Sequence, residues 1–114
     1  LQENARVVGE HFKSGLQDLA ERHELIGDVR GLGLFLGVEL VRDRTTLEPA
    51  AQEASAVVEA MKTRGILLST DGPLHNVIKI KPPIVFGRAD AESVVAKLDE
   101  VLGELLELYD VANR

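Results

Sequence analysis

The run Asn76-Val77-Ile78-Lys79-Ile80-Lys81-Pro82-Pro83 constrains the fold more than any other part of this chain. Its alternation places Val77, Lys79 and Lys81 on one face of a short strand and Ile78 and Ile80 on the other. Pro82 and Pro83 then stop the strand, because neither has an N–H to give to a ladder. Two ammonium groups on one sheet face, beside an Asp71-Gly72-Pro73 turn, suit an anion. The same pattern also suits a plain solvated face, and sequence physics alone leaves both readings open.

The remaining elements follow from periodicity. Ala5, Val8, Phe12, Leu16 and Leu19 recur at three- and four-residue steps and predict an amphipathic helix to Arg22. Gly9 and Gly15 weaken it by up to ~1 kcal/mol each relative to Ala, so it relies on packing. Residues 23–33 read as a turn-rich connection. Residues 34–41 read as a first strand, so apolar that burial on both faces is expected. Pro49 falls in the first turn of a second helix with a stripe at Ala50, Ala54, Val57, Val58 and Met61, and Gly65 is its stop. Residues 66–70 and 77–81 form the second and third strands. A last helix opens near Asp90, with Gly87 as a permissive N-cap, and carries an apolar face from Val94 to Leu106.

The expected fold class is α+β, in the order α-β-α-β-β-α. The sheet is expected to be three-stranded and mainly antiparallel, of order 1-3-2, with the third strand between the other two as in a split βαβ unit. Helices cover one face of it. The other face is either wet or docked on a partner.

A length of 114 residues suits one domain. The 45% hydrophobic and 28% charged content argues against disorder. A net charge of −6, with acids spread along the chain, argues against nucleic acid and anionic membrane as main partners. There is no Cys, which fits a reducing, cytoplasmic setting. The chain opens on Leu1 inside a helical pattern, as expected of a piece cut from a longer polypeptide.

Other candidate chemistry is sparse. Arg30-Gly31-Leu32-Gly33 precedes a strand, whereas phosphate-cradling glycines follow a strand and open a helix, so a tight turn at positive φ is the expectation. His11, His23 and His75 are scattered and suit surface or helix-end roles rather than a metal set. No Ser stands in a Gly-x-Ser-x-Gly elbow, which argues against a nucleophilic hydrolase. Glu104 and Glu107 read as the wet face of the last helix.

Three blocks taken together carry a resemblance. They are Ile26-Gly27-Asp28-Val29-Arg30-Gly31-Leu32-Gly33-Leu34-Phe35-Leu36-Gly37-Val38-Glu39-Leu40, then Gly65-Ile66-Leu67-Leu68-Ser69-Thr70-Asp71-Gly72-Pro73, then Asn76-Val77-Ile78-Lys79-Ile80-Lys81-Pro82-Pro83. Their order and spacing resemble the C-terminal small domain of class III pyridoxal-phosphate aminotransferases of fold type I. The branch they look most like holds ethanolamine-phosphate phospho-lyases and alanine–glyoxylate-aminotransferase-like proteins. The resemblance spans nearly the whole chain, 1–114.

That resemblance implies a role for Lys79. The family usually has Arg at this position, as a bidentate contact to the substrate carboxylate. A Lys is a poorer planar fork but a good point charge for phosphate. The family's cofactor lysine and the groups that hold pyridoxal phosphate belong to a large domain upstream. This piece alone is therefore expected to bind no cofactor and to be inactive, with no catalytic and no metal-binding residue of its own. The implied partners are the large domain of the same polypeptide, a second copy in a dimeric parent, and a small amine or phospho-amine substrate. A freestanding α/β ligand-binding or interaction module is the alternative, since fold alone does not choose between them.

Overall fold

The computed structural model describes residues 2–81 and 86–112. The expected stop at Pro82 and Pro83 lies outside the described residues. Three helices and an antiparallel sheet make an α+β fold: α1 (Gln2–Arg22), β1 (Ile26–Leu32), β2 (Phe35–Asp43), β3 (Glu48–Pro49), α2 (Ala51–Thr63), β4 (Ser69–Asp71), β5 (Val77–Ile80) and α3 (Arg88–Ala112).

The sheet corrects the expected three strands of order 1-3-2. Among the described residues it has five strands in the order β1-β2-β5-β4, with β3 pairing to β2 off that path. β5 lies between β2 and β4, antiparallel to each.

The two added strands lie where sequence signals are poor. β1 falls in the segment expected to be a connection. A bulge between Ile26 and Asp28 breaks its period, leaving its buried residues Ile26 and Val29 three apart. Its Gly27, Asp28 and Gly31 are weak strand formers. β3 contains Pro49, which sits on an edge strand that needs nothing from its missing N–H. α2 therefore begins at Ala51, after Pro49 rather than on it.

β2 also differs from expectation. Burial alternates along it: Leu36, Val38 and Leu40 are buried, while Phe35 is 70% exposed. Leu36 pairs with Ile80 and Val38 with Ile78, so both strands turn the same face to the core. The helices cover that face. α1 packs on β1 and α2 on β4 and β5, while α3 bridges α1 and α2. Phe12, Leu16 and Leu19 of α1, Met61 of α2 and Leu98 of α3 are fully buried, each contributing ~1.5–3 kcal/mol. Leu106, expected on the apolar stripe of α3, is 58% exposed.

The helix ends are closed locally. α2 finishes in a Schellman turn: Ile66 N–H donates to Met61 O and Gly65 N–H to Lys62 O, both at 3.0 Å, with Gly65 at φ 83°. Gly87 N–H donates to Asp90 Oδ2 at 2.8 Å, so the acid in the first turn of α3 caps the residue before it. The Arg44 guanidinium reaches back from the loop after β2 to the end of α1. It donates to Ala20 O, to His23 O at 2.9 Å and to Glu24 O at 3.2 Å.

A candidate anion site on the open sheet face

The face of the sheet turned away from the helices is charged, and its register can be read pair by pair. Across it, Arg30 of β1 stands opposite Gly37 of β2, Gly37 opposite Lys79 of β5, and Lys79 opposite Ser69 of β4. The next row is Asp28, Glu39, Val77 and Asp71. Strands lie ~4.8 Å apart, so the two cations are rooted roughly 10 Å apart with Gly37 between them. Gly37 leaves a notch there. Leu32 and Phe35, 86% and 70% exposed, form one apolar rim of this face.

Each cation is held by carboxylates of the same face. Arg30 donates to Asp28 Oδ2 at 2.9 Å and to Glu39 Oε1 at 3.0 Å. Those two hydrogen bonds push its pKa above the ordinary guanidinium value. Lys79 Nζ lies 3.1 Å from Asp71 Oδ2. The Asp71 carboxyl is held below the usual carboxylate range, first by the Gly72 backbone N–H and then by Lys79. Gly72, at φ 85°, turns the chain out of β4 directly after Asp71.

The base of the site is fixed by Asn76, one of the few polar residues in the interior. It is 5% exposed, its Nδ2 donates to Leu40 O at 2.9 Å, and its own carbonyl accepts from Leu40 N–H at 2.8 Å. The Leu40 carbonyl also accepts from Ala50 N–H at 3.0 Å, joining β2, α2 and β5 at one point.

Lys79 thus stands where the alternation of its strand puts it, half-exposed and ion-paired. Arg30, Gly37, Glu39 and Asp71 are members of the same face that periodicity did not single out. For Arg30, Gly37 and Glu39 the signal was the two-residue turn at Gly33 and Leu34, which sets Arg30 opposite Gly37. Gly33, at φ 58°, lies in that turn, whereas Gly31, at φ 132°, lies within β1, so the tight turn expected over residues 30–33 is confined to 33–34. His23 Nε2 donates to Asp99 Oδ1 at 2.6 Å, and His11 Nε2 lies 3.2 Å from Glu92 Oε1, so both tie α1 to α3. Glu104, expected on the wet face of the last helix, is exposed there and pairs with Arg64 at 2.8 Å.

Among the described residues no three His, Asp or Glu side chains are placed to share a metal ion. No described helix is long and apolar enough to cross a membrane. Of the lysines, Lys13 Nζ donates to Gly31 O at 3.1 Å, Lys79 is paired with Asp71, and none of Lys62, Lys81 and Lys97 is buried.

Comparison with known proteins places this architecture. Residues 1–102 match the family model of class III aminotransferases, and the chain belongs to that family. It is 47% identical over 90% of its length to ethanolamine-phosphate phospho-lyase homolog 1 of Caenorhabditis elegans. It is 45% identical over 92% of its length to alanine–glyoxylate aminotransferase 2 homolog 2, mitochondrial, of Arabidopsis thaliana. The chain spans only 22% of the length of each of these two relatives. A solved phospholyase from Arthrobacter in complex with phosphoethanolamine superposes with a TM-score of 0.83 at 35% identity, over 88% of this chain and 24% of that one. Class III aminotransferases depend on pyridoxal phosphate.

Proposed function

We propose that this chain is the C-terminal small domain of a pyridoxal-phosphate enzyme, and that its open sheet face closes one wall of the substrate cleft. Lys79 is the substrate contact: its ammonium binds an anionic group on a small amine, either the phosphate of a phospho-amine or a carboxylate. The parent reaction is transamination or amine-dependent loss of phosphate. The observation that carries this reading is the position of Lys79, on the uncovered face of a sheet whose other face is fully committed to the core.

The cofactor belongs to the large domain of the same polypeptide, a reading supported by the fact that none of the five lysines here is buried. The domain contributes shape and charge: a glycine notch, flanking cations, and a rim of Leu32 and Phe35 that suits docking. A dimeric parent in the cytoplasm completes the proposal.

The test uses the full-length polypeptide. It is assayed with ethanolamine phosphate against ω-amino acids, following phosphate release, and Lys79→Ala is compared with the unaltered enzyme. Loss of a charged contact raises KM for the anionic substrate by the equivalent of about 1.5–3 kcal/mol. An unchanged KM returns Lys79 to an ordinary solvated face.

A further inference from the structure

We infer that Asp71 is a positioning residue for Lys79, an internal counter-ion that the incoming anion must displace. The inference rests on the reading of Lys79 as the anion contact. It adds a second residue, with an effect of opposite sign.

Asp71 is the last residue of β4 and pairs in register with Val77, so it stands diagonally from Lys79 on the same face. The two meet at 3.1 Å. The carboxylate stands at the end of β4 on a short stem, directly before the positive-φ turn at Gly72. Lys79 has the longer reach of the two, since a four-carbon stem carries its ammonium.

The strength of the pair matters. The Lys79 and Asp71 side chains are 40% and 59% exposed, so this is a surface ion pair. Such pairs stabilise weakly, and water screens both charges. Asp71 thus holds the ammonium on the open face without locking it there. An anion arriving above Gly37 exchanges one carboxylate for another negative group. The apparent affinity for that anion is lower than Lys79 alone would provide. Arg30 is held by two carboxylates, Asp28 and Glu39, where Lys79 meets one.

The experiment measures inhibition of the full-length enzyme by inorganic phosphate, competing with the amine substrate, at low and high salt. Asp71→Asn keeps the shape and removes the charge. Its inhibition constant is expected to fall, by up to about fivefold at low salt and less at high salt. In a Lys79→Ala background the same change has no effect, and Asp71→Glu restores the original constant. An Asp71→Asn enzyme that binds phosphate equally or more weakly, while Lys79→Ala alone weakens binding, overturns the inference and leaves the Lys79 contact standing. A Lys79→Ala enzyme with an unchanged constant overturns the contact itself. Asp71 is well exposed, and Asp71→Ser gives a second neutral variant by which a purely structural effect is recognised.

Discussion

Gly9 of α1 lies against the backbone of Gly33, so that a Cβ at Gly9 would be driven into the Gly33 carbonyl oxygen. The helix crosses the β1–β2 turn at a place on its surface where it has no side chain. This contact seats α1 on the hairpin that carries Arg30 and Gly37.

Gly9→Ala should therefore destabilise the chain although Ala is the better helix former. Intrinsic propensity favours Ala by ~1 kcal/mol, but backbone atoms cannot yield as a flexible side chain can. A net loss of about 1–3 kcal/mol is expected from overpacking, read as a lower urea midpoint. A rise in the midpoint would mean that α1 shifts freely over the turn.

Acid should loosen the bond between α1 and α3. The His23 hydrogen bond, then the Arg22 hydrogen bond and charge, hold the Asp99 carboxyl below its ordinary value. A depressed carboxyl stabilises the fold above its unfolded pKa, about 4, and ceases to do so as pH falls through its folded value. Asp99→Asn should thus be less stable than the unaltered chain at pH 7, and the gap should close as pH drops below about 4. Urea midpoints at several pH values check this. A gap independent of pH would show that the carboxylate charge is irrelevant.

Filling the notch should separate folding from binding. At Gly37 an added Cβ meets only Val77 Cγ1, at 3.2 Å, which a small rotation relieves. Gly37→Val should leave the unfolding midpoint within ~1 kcal/mol of the original, since β-branched residues suit strands. It should raise KM for an anionic substrate in the full-length enzyme several-fold, because a side chain then stands between Arg30 and Lys79. Unaltered KM values would place the substrate elsewhere.

The parts of this fold that periodicity reveals are those where one face alone is apolar. The α1 stripe from Val8 to Leu19 is buried as its spacing requires, and so are Ile78 and Ile80 of β5. β1 was not legible, because its bulge offsets Ile26 from Val29 and its glycines answer to neighbours rather than to strand propensity. Gly27 faces Val41 and Gly31 faces the Phe35 backbone, contacts that exist only once the hairpin has formed. Gly9 and Gly15 read as weak points of a helix, whereas Gly15 is where Val95 of α3 comes close. Lys79 was legible from its own strand. Asp71 was visible only as a turn residue, since the pairing that sets it beside Lys79 links residues on two strands.

Asn76 gives the open face its calibration. By gripping both the amide and the carbonyl of Leu40, it sets the zero mark from which β5 is counted. A slip of one residue along that ruler would send the ammonium of Lys79 inward and turn two isoleucines out to water. The aim of a charged group at the surface is thus decided three positions upstream, by an amide in the interior.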